Sequence, residues 1–247
     1  MDALLLHGLG GGPADMDSLA QELATMGVAC HTPCLPGHGS GWEAFVRSHW
    51  NQWSAAAHEA YAALAGQSPE PPLLAGYSLG GLLALDTLFW AREAGLPAPR
   101  CLLVFAAPLY WSSRPGRLGE RALRWRLAWK AWRQPVEICS PRSEAARETA
   151  PWQGHERVVC WRPMAEPRLR ALLPACDVPV CYVQLWHDSS CPRRNAVEWI
   201  CTASRRAETH VLRTVSRHGG HLPLSHRESR DEVVHIACNF VRAVLES

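Results

Sequence analysis

The chain has 247 residues, 47% of them hydrophobic, and its 25 basic and 23 acidic side chains leave a formal charge of +2. That length suits one α/β domain with a substantial core, expected to span residues 1–247, and so small a charge gives no reason to expect a nucleic-acid partner. The opening Met1-Asp2-Ala3-Leu4-Leu5-Leu6 carries no basic leader and its apolar run stops at His7-Gly8, so it reads as neither signal peptide nor membrane span. Of the ten cysteines none forms a Cys-x-x-Cys pair or meets histidines at zinc spacing, and Cys101 and Cys181 lie inside apolar runs. Free buried thiols in a reducing cytoplasm are expected, with no metal and no cofactor.

Ala3 to Leu6 is continuously apolar, as in a strand covered on both faces, and ends in the loop His7-Gly8-Leu9-Gly10-Gly11-Gly12-Pro13. This loop lacks the Gly-Lys-Ser/Thr ending of a nucleotide loop, so it reads as a place where backbone approaches a ligand. Asp15 to Met26 has helical spacing and stops at Gly27, Val28 to Leu35 reads as a second strand, and Trp42 to Leu64 as one long alanine-rich helix. Pro72-Leu73-Leu74-Ala75 leads to Gly76-Tyr77-Ser78-Leu79-Gly80, a helix follows to Ala94, and Cys101 to Ala107 is a further strand. Strands alternating with helices of this length imply a parallel sheet.

Between Trp111 and Cys176 the rhythm breaks, and no strand is predicted there. The segment holds six of the twelve tryptophans and thirteen Arg/Lys against six Asp/Glu, which marks it as an inserted cap over 111–176. Its clearest helix, Arg117 to Arg133, aligns Leu118, Ala122, Trp125, Trp129 and Trp132 on one stripe flanked by arginines. Such a helix suits a lid resting on a lipid interface, a peripheral membrane contact. It equally suits an ordinary cap helix whose tryptophans cover a site while arginine stems cross its apolar border, and we prefer that reading. The alternation resumes with a strand at Val178 to Leu185, a helix over Pro192 to Ala203, a strand at Glu208 to Val215 and a last helix from Glu228 to Leu245.

A serine between two glycines, entered from a strand and left by a helix, has the pattern of a nucleophile elbow. The flanking glycines leave room where strand and helix pass closely, Ser78 is lifted to the sheet edge, and the Leu79 amide points where an oxyanion would form. The Leu9 amide is the candidate second donor. A serine needs a histidine to take its proton, and the histidine needs a carboxylate to fix its tautomer. Of seven aspartates, Asp188 alone follows the carboxyl end of a late strand. In the last loop His218, His221 and His226 are available; Gly219 and Gly220 give His221 the freedom to reach the elbow, and His218 is held in reserve.

These residues resemble the serine α/β-hydrolases, and more closely the small bacterial carboxylesterases that also act as monoacylglycerol lipases. The resemblance is carried by Leu6-His7-Gly8-Leu9-Gly10-Gly11, Pro36-Gly37-His38-Gly39, Gly76 to Gly81, Ala107-Pro108-Leu109-Tyr110, Val183-Gln184 with His187-Asp188, and Gly220-His221. It implies an α/β-hydrolase fold, a mostly parallel doubly wound sheet with a helical cap insertion. It also implies Ser78, Asp188 and His221 as nucleophile, acid and base, with the amides of Leu9 and Leu79 as oxyanion donors. The expected activity is cofactor-free hydrolysis of small-molecule esters, short- to medium-chain or monoacylglycerol. A thioesterase or lactonase, or a non-catalytic binding protein of the same fold, are the alternatives.

Overall fold

The computed structural model describes residues 1–109, 135–137, 149–151, 166–185, 188, 191, 194–202, 210–215, 221, 223–225 and 227–247. Six strands form one sheet: β1 (Asp2–Leu6), β2 (Ala29–His31), β3 (Leu73–Tyr77), β4 (Leu102–Phe105), β7 (Val180–Leu185) and β8 (His210–Val215). Their order is β2-β1-β3-β4-β7-β8 and every pairing is parallel. The order reverses after β1, and the loops at the carboxyl ends of β1 and β3 flank that reversal, where an open α/β sheet has its crevice. Register sets the neighbours there: Leu6 lies opposite Gly76, so the residues after β1 emerge beside those after β3.

Continuous burial of β1, β3, β4 and β7 reflects a core on each face of the sheet. On one side Leu4, Leu74, Val104 and Tyr182 pack with helices α3 (Trp50–Gln67) and α4 (Leu79–Glu93). On the other, Leu5, Ala75, Phe105 and Val183 pack with α1 (Asp17–Thr25) and α7 (Arg227–Leu245). Helix α4 is apolar nearly all round, because it is sandwiched between the sheet and α3. Cys101, Cys176, Cys181, Cys191 and Cys238 are buried free thiols. Among the described residues no helix is long and apolar enough to cross a membrane.

Three expectations need correction. The second strand is only Ala29–His31, an edge strand rather than Val28 to Leu35, because Pro33 and Pro36 have no amide to continue a ladder. The long helix is two, α2 (Trp42–Arg47) and α3, divided where Ser48 is extended. His49 starts the second: its amide donates to Gln52 Oε1 at 3.1 Å, a reciprocal cap that alanine content conceals. The 111–176 segment does contain strands, since β5 (Pro135–Glu137) pairs antiparallel with β6 (Thr149–Pro151), each too short for its period to show in sequence. The predicted helix at 117–133 and its tryptophans lie outside the described residues. The segment returns to the sheet through α5 (Glu166–Leu172), and α6 (Arg194–Thr202) follows β7.

A buried carboxylate ties that return to α4. Asp86, only 2% exposed, accepts from Ser54 Oγ at 2.5 Å and His58 Nε2 at 3.0 Å, both on α3, and its other oxygen lies 3.5 Å from Arg168 of α5. His58 stacks flat on Trp90, centroids 4.4 Å apart. Burial alone would raise the Asp86 pKa, but the hydrogen bonds from His58 and Ser54 and the nearby Arg168 guanidinium outweigh it and hold the group below its ordinary value. Its contribution to stability is therefore complete above the ordinary carboxylate value and is lost as pH falls through the depressed one. Asp86→Asn is expected to cost about 2 kcal/mol near neutrality and to remove that part of the acid sensitivity, read by urea unfolding across pH.

Candidate active site

Ser78 occupies a backbone conformation that side chains rarely adopt, φ 52° and ψ −114°, between β3 and the first residue of α4. The local contacts explain why glycines surround it. A Cβ on Gly76 would run into the Gly80 carbonyl, and one on Gly80 would strike the Leu6 carbonyl, so strand and helix could not close. Ser78 stands at the N-cap position of α4, yet its side chain makes no capping hydrogen bond. Its Oγ instead lies 2.7 Å from Nε2 of His221.

His221 Nδ1 is in turn 2.7 Å from Oδ2 of Asp188, whose side chain is fully buried. The second carboxylate oxygen accepts the Cys191 amide at 2.7 Å, ahead of α6. With Nδ1–H donating to Asp188, Nε2 is left as the acceptor for the serine proton. The His221 carbonyl accepts from the Tyr77 hydroxyl at 2.5 Å, which fixes His221 to the residue preceding Ser78. Burial, with Asp15, Asp188 and Cys191 nearby, raises the Tyr77 pKa well above its ordinary value and keeps it a donor. His218 and His226, the other loop histidines, lie outside the described residues.

A second serine, histidine and aspartate lie together at Ser54, His58 and Asp86, and geometry separates the two sets. There both Ser54 and Asp86 meet the same ring nitrogen, His58 Nε2, and Ser54 donates directly to the carboxylate. No proton can pass from serine through that ring toward the acid. In the Ser78 set the two partners use opposite nitrogens.

The loop after β1 closes over the elbow. A Cβ on Gly8 would stand 3.5 Å from Ser78 Cβ and collide with the Tyr77 ring, so only glycine lets this backbone approach Ser78 so closely. The Gly8 carbonyl accepts from His7 Nδ1 at 2.9 Å and from the Gly11 amide at 3.2 Å. Because a trans peptide directs its N–H opposite to its C=O, holding the Gly8 oxygen also fixes the direction of the Leu9 amide. The Leu79 amide, at the first position of α4, has no acceptor within the helix. His7 Nε2 accepts the Leu35 amide at 3.1 Å, so the ring is neutral with its proton on Nδ1. Its edge meets His38 at 4.9 Å, and Trp53 donates to Pro36 O at 3.0 Å, which anchors the loop after β2 in the same cluster.

The profile of the alpha/beta hydrolase family matches residues 3–236 of this chain. The chain belongs to the alpha/beta hydrolase family. Within it, 98 residues are 35% identical to a carboxylesterase of Bacillus subtilis (strain 168), covering 40% of this chain and 39% of that protein. Over 82 residues it is 37% identical to a thermostable monoacylglycerol lipase of Bacillus sp. (strain H-257), covering 33% of this chain and 32% of that one. This hydrolase-family chain thus matches less than half the length of these curated relatives. A solved structure from work on LipS and LipT, two metagenome-derived lipolytic enzymes, superposes with a TM-score of 0.72 at 20% identity, covering 98% of this chain and 93% of that one. In this family member His7, Tyr77 and Gln184 are buried polar residues that the functional reading of the sequence assigned no role. The available signal was a polar side chain beside or inside a wholly apolar strand.

Burial lowers the His7 pKa from 6.5 to about 4, and burial with the adjacent His7 does the same to His38. For each, the folded state must keep the ring neutral, so stability is complete above about 6.5 and declines as pH falls toward 4, with no further loss below. His7→Phe is expected to reduce that decline, since one titrating ring is gone. It is also expected to lower stability at alkaline pH, because the Leu35 amide loses its acceptor and the Gly8 carbonyl one of its two donors. Urea unfolding at a series of pH values measures both.

Proposed function

We propose that this chain is a serine carboxylic-ester hydrolase working through an acyl-enzyme on Ser78. The observation that carries the reading is the relay of two 2.7 Å contacts on opposite nitrogens of His221, to Ser78 on one side and Asp188 on the other. Ser78 Oγ attacks the ester carbonyl carbon while His221 Nε2 takes its proton, and Asp188 stabilises the imidazolium. The amides of Leu79 and Leu9 would receive the oxyanion. Collapse expels the alcohol, which leaves with the proton from His221. Water then attacks the acyl-enzyme by the same route, giving up its proton to His221 and releasing the acid and free Ser78.

The substrate class is a small-molecule ester of short to medium acyl length or a monoacylglycerol. Support comes from the carboxylesterase and monoacylglycerol lipase among the relatives and from six tryptophans in the segment 111–176, which we read as a cap walling the acyl side. A thioester or lactone would follow the same steps.

The test is hydrolysis of p-nitrophenyl esters of increasing acyl length by wild type and Ser78→Ala. Turnover is expected to peak at one chain length and to fall by several powers of ten in the variant. Equal rates for the two proteins at every length would overturn the assignment.

A further inference from the structure

Gln184 is out of place on general grounds. It is fully buried near the end of β7, among Val180, Cys181, Tyr182, Val183 and Leu185, where an amide in apolar surroundings is costly unless every polar atom is matched. Here each is. Nε2 donates to Cys191 O at 2.7 Å and to Leu185 O at 3.2 Å, and lies 3.5 Å from Asp188 Oδ2. Oε1 accepts from the Cys191 thiol at 3.5 Å and faces the Tyr182 hydroxyl at 3.3 Å. Tyr182 in turn donates to Ala107 O at 3.0 Å, beyond the end of β4. One side chain therefore binds two carbonyls of the segment after β7, those of Leu185 and Cys191.

The consequence runs to the base. Cys191 is held from both ends: Gln184 binds its carbonyl, and its amide binds Asp188 Oδ1 at 2.7 Å. That leaves Asp188 Oδ2 facing His221 Nδ1 at 2.7 Å. We propose that Gln184 is a positioning residue for this hydrolase, setting the Asp188 carboxylate through Cys191 so that His221 is held in line with Ser78. The inference rests on the reading of Ser78, His221 and Asp188 given under Proposed function. Among the described residues, the titratable groups around Gln184 are Tyr182 on its own strand, Asp188 and Cys191 after β7, and His221 through Asp188.

Two substitutions separate positioning from packing. Gln184→Met keeps the volume and removes both donors. It is expected to lower kcat about 10- to 100-fold while KM changes less than about threefold, because a displacement of the acid on the order of 1 Å is felt in the chemical step. The far-downfield proton resonance of the His221 to Asp188 hydrogen bond should shift or vanish in the same variant. Gln184→Glu turns the donor into a second carboxylate beside Asp188, whose neighbouring charge and burial favour the protonated form. Its rate relative to wild type is expected to rise as pH falls, since the protonated carboxyl can donate to Cys191 O as the amide does. This arm also serves should Gln184→Met not fold. A Gln184→Met enzyme within twofold of wild type in kcat with an unchanged resonance would overturn the proposal, as would a flat rate ratio for Gln184→Glu. Ser78→Ala is run in parallel: if it stays active the Ser78 reading has failed, whereas its inactivity beside an unaffected Gln184→Met faults the role of Gln184 alone.

Discussion

The structure depends on one strained residue. Ser78 holds a positive φ because β3 must turn into α4 without an intervening loop, and that turn exists only while Gly76 and Gly80 let helix and strands approach backbone to backbone. The strain is held in place by burial on every side: α4 is enclosed by the sheet and α3, so its start cannot relax outward. Everything else in the site is arranged about a hydroxyl whose position the core dictates.

Around that point the protein uses buried polar side chains as substitutes for backbone pairing. Three loops meet at the carboxyl edge of the sheet, and each is tied by a residue from a strand or strand end: His7 to the loop after β1, Tyr77 to the loop bearing His221, Gln184 to the loop bearing Asp188. Each such group is costly to bury and each finds partners, so Gly8, His221 and Cys191 are tied to the sheet edge without being part of it. The Asp86 cluster applies the same device on the far side of α4, where it joins α3 and α5 instead of holding a loop near Ser78. Its single shared ring nitrogen shows that the same three residue types form either a relay or a static anchor, according to which imidazole atoms they meet.

What could be read from the sequence follows the same division. Alternating apolar and helical segments disclosed the parallel sheet, and Gly76-Tyr77-Ser78-Leu79-Gly80 disclosed the elbow, because both are local patterns imposed by packing. Asp188 and His221 were reached by elimination among few aspartates and by the flexible Gly219-Gly220, and they lie together with Ser78. The supporting residues were not legible: Tyr77 meets His221 from 144 positions away, while His7 and Gln184 bind close in sequence but across loops whose folded path no local pattern announces. The division of α2 from α3 was hidden by alanine-rich composition, and β5 and β6 by lengths of three residues. The arginine-rich stretch at 111–176 was read from composition alone, and charge and tryptophan content do not assign elements.

The central claim is that Ser78, and no other serine, is the activated nucleophile. Intact-mass measurement and peptide mapping after reaction with an active-site-directed phosphonate tests it most directly. The account predicts one adduct per chain, carried by Ser78, absent from Ser78→Ala and formed far more slowly by His221→Ala. No adduct on the wild type, or an adduct on Ser54 or another serine, would contradict it.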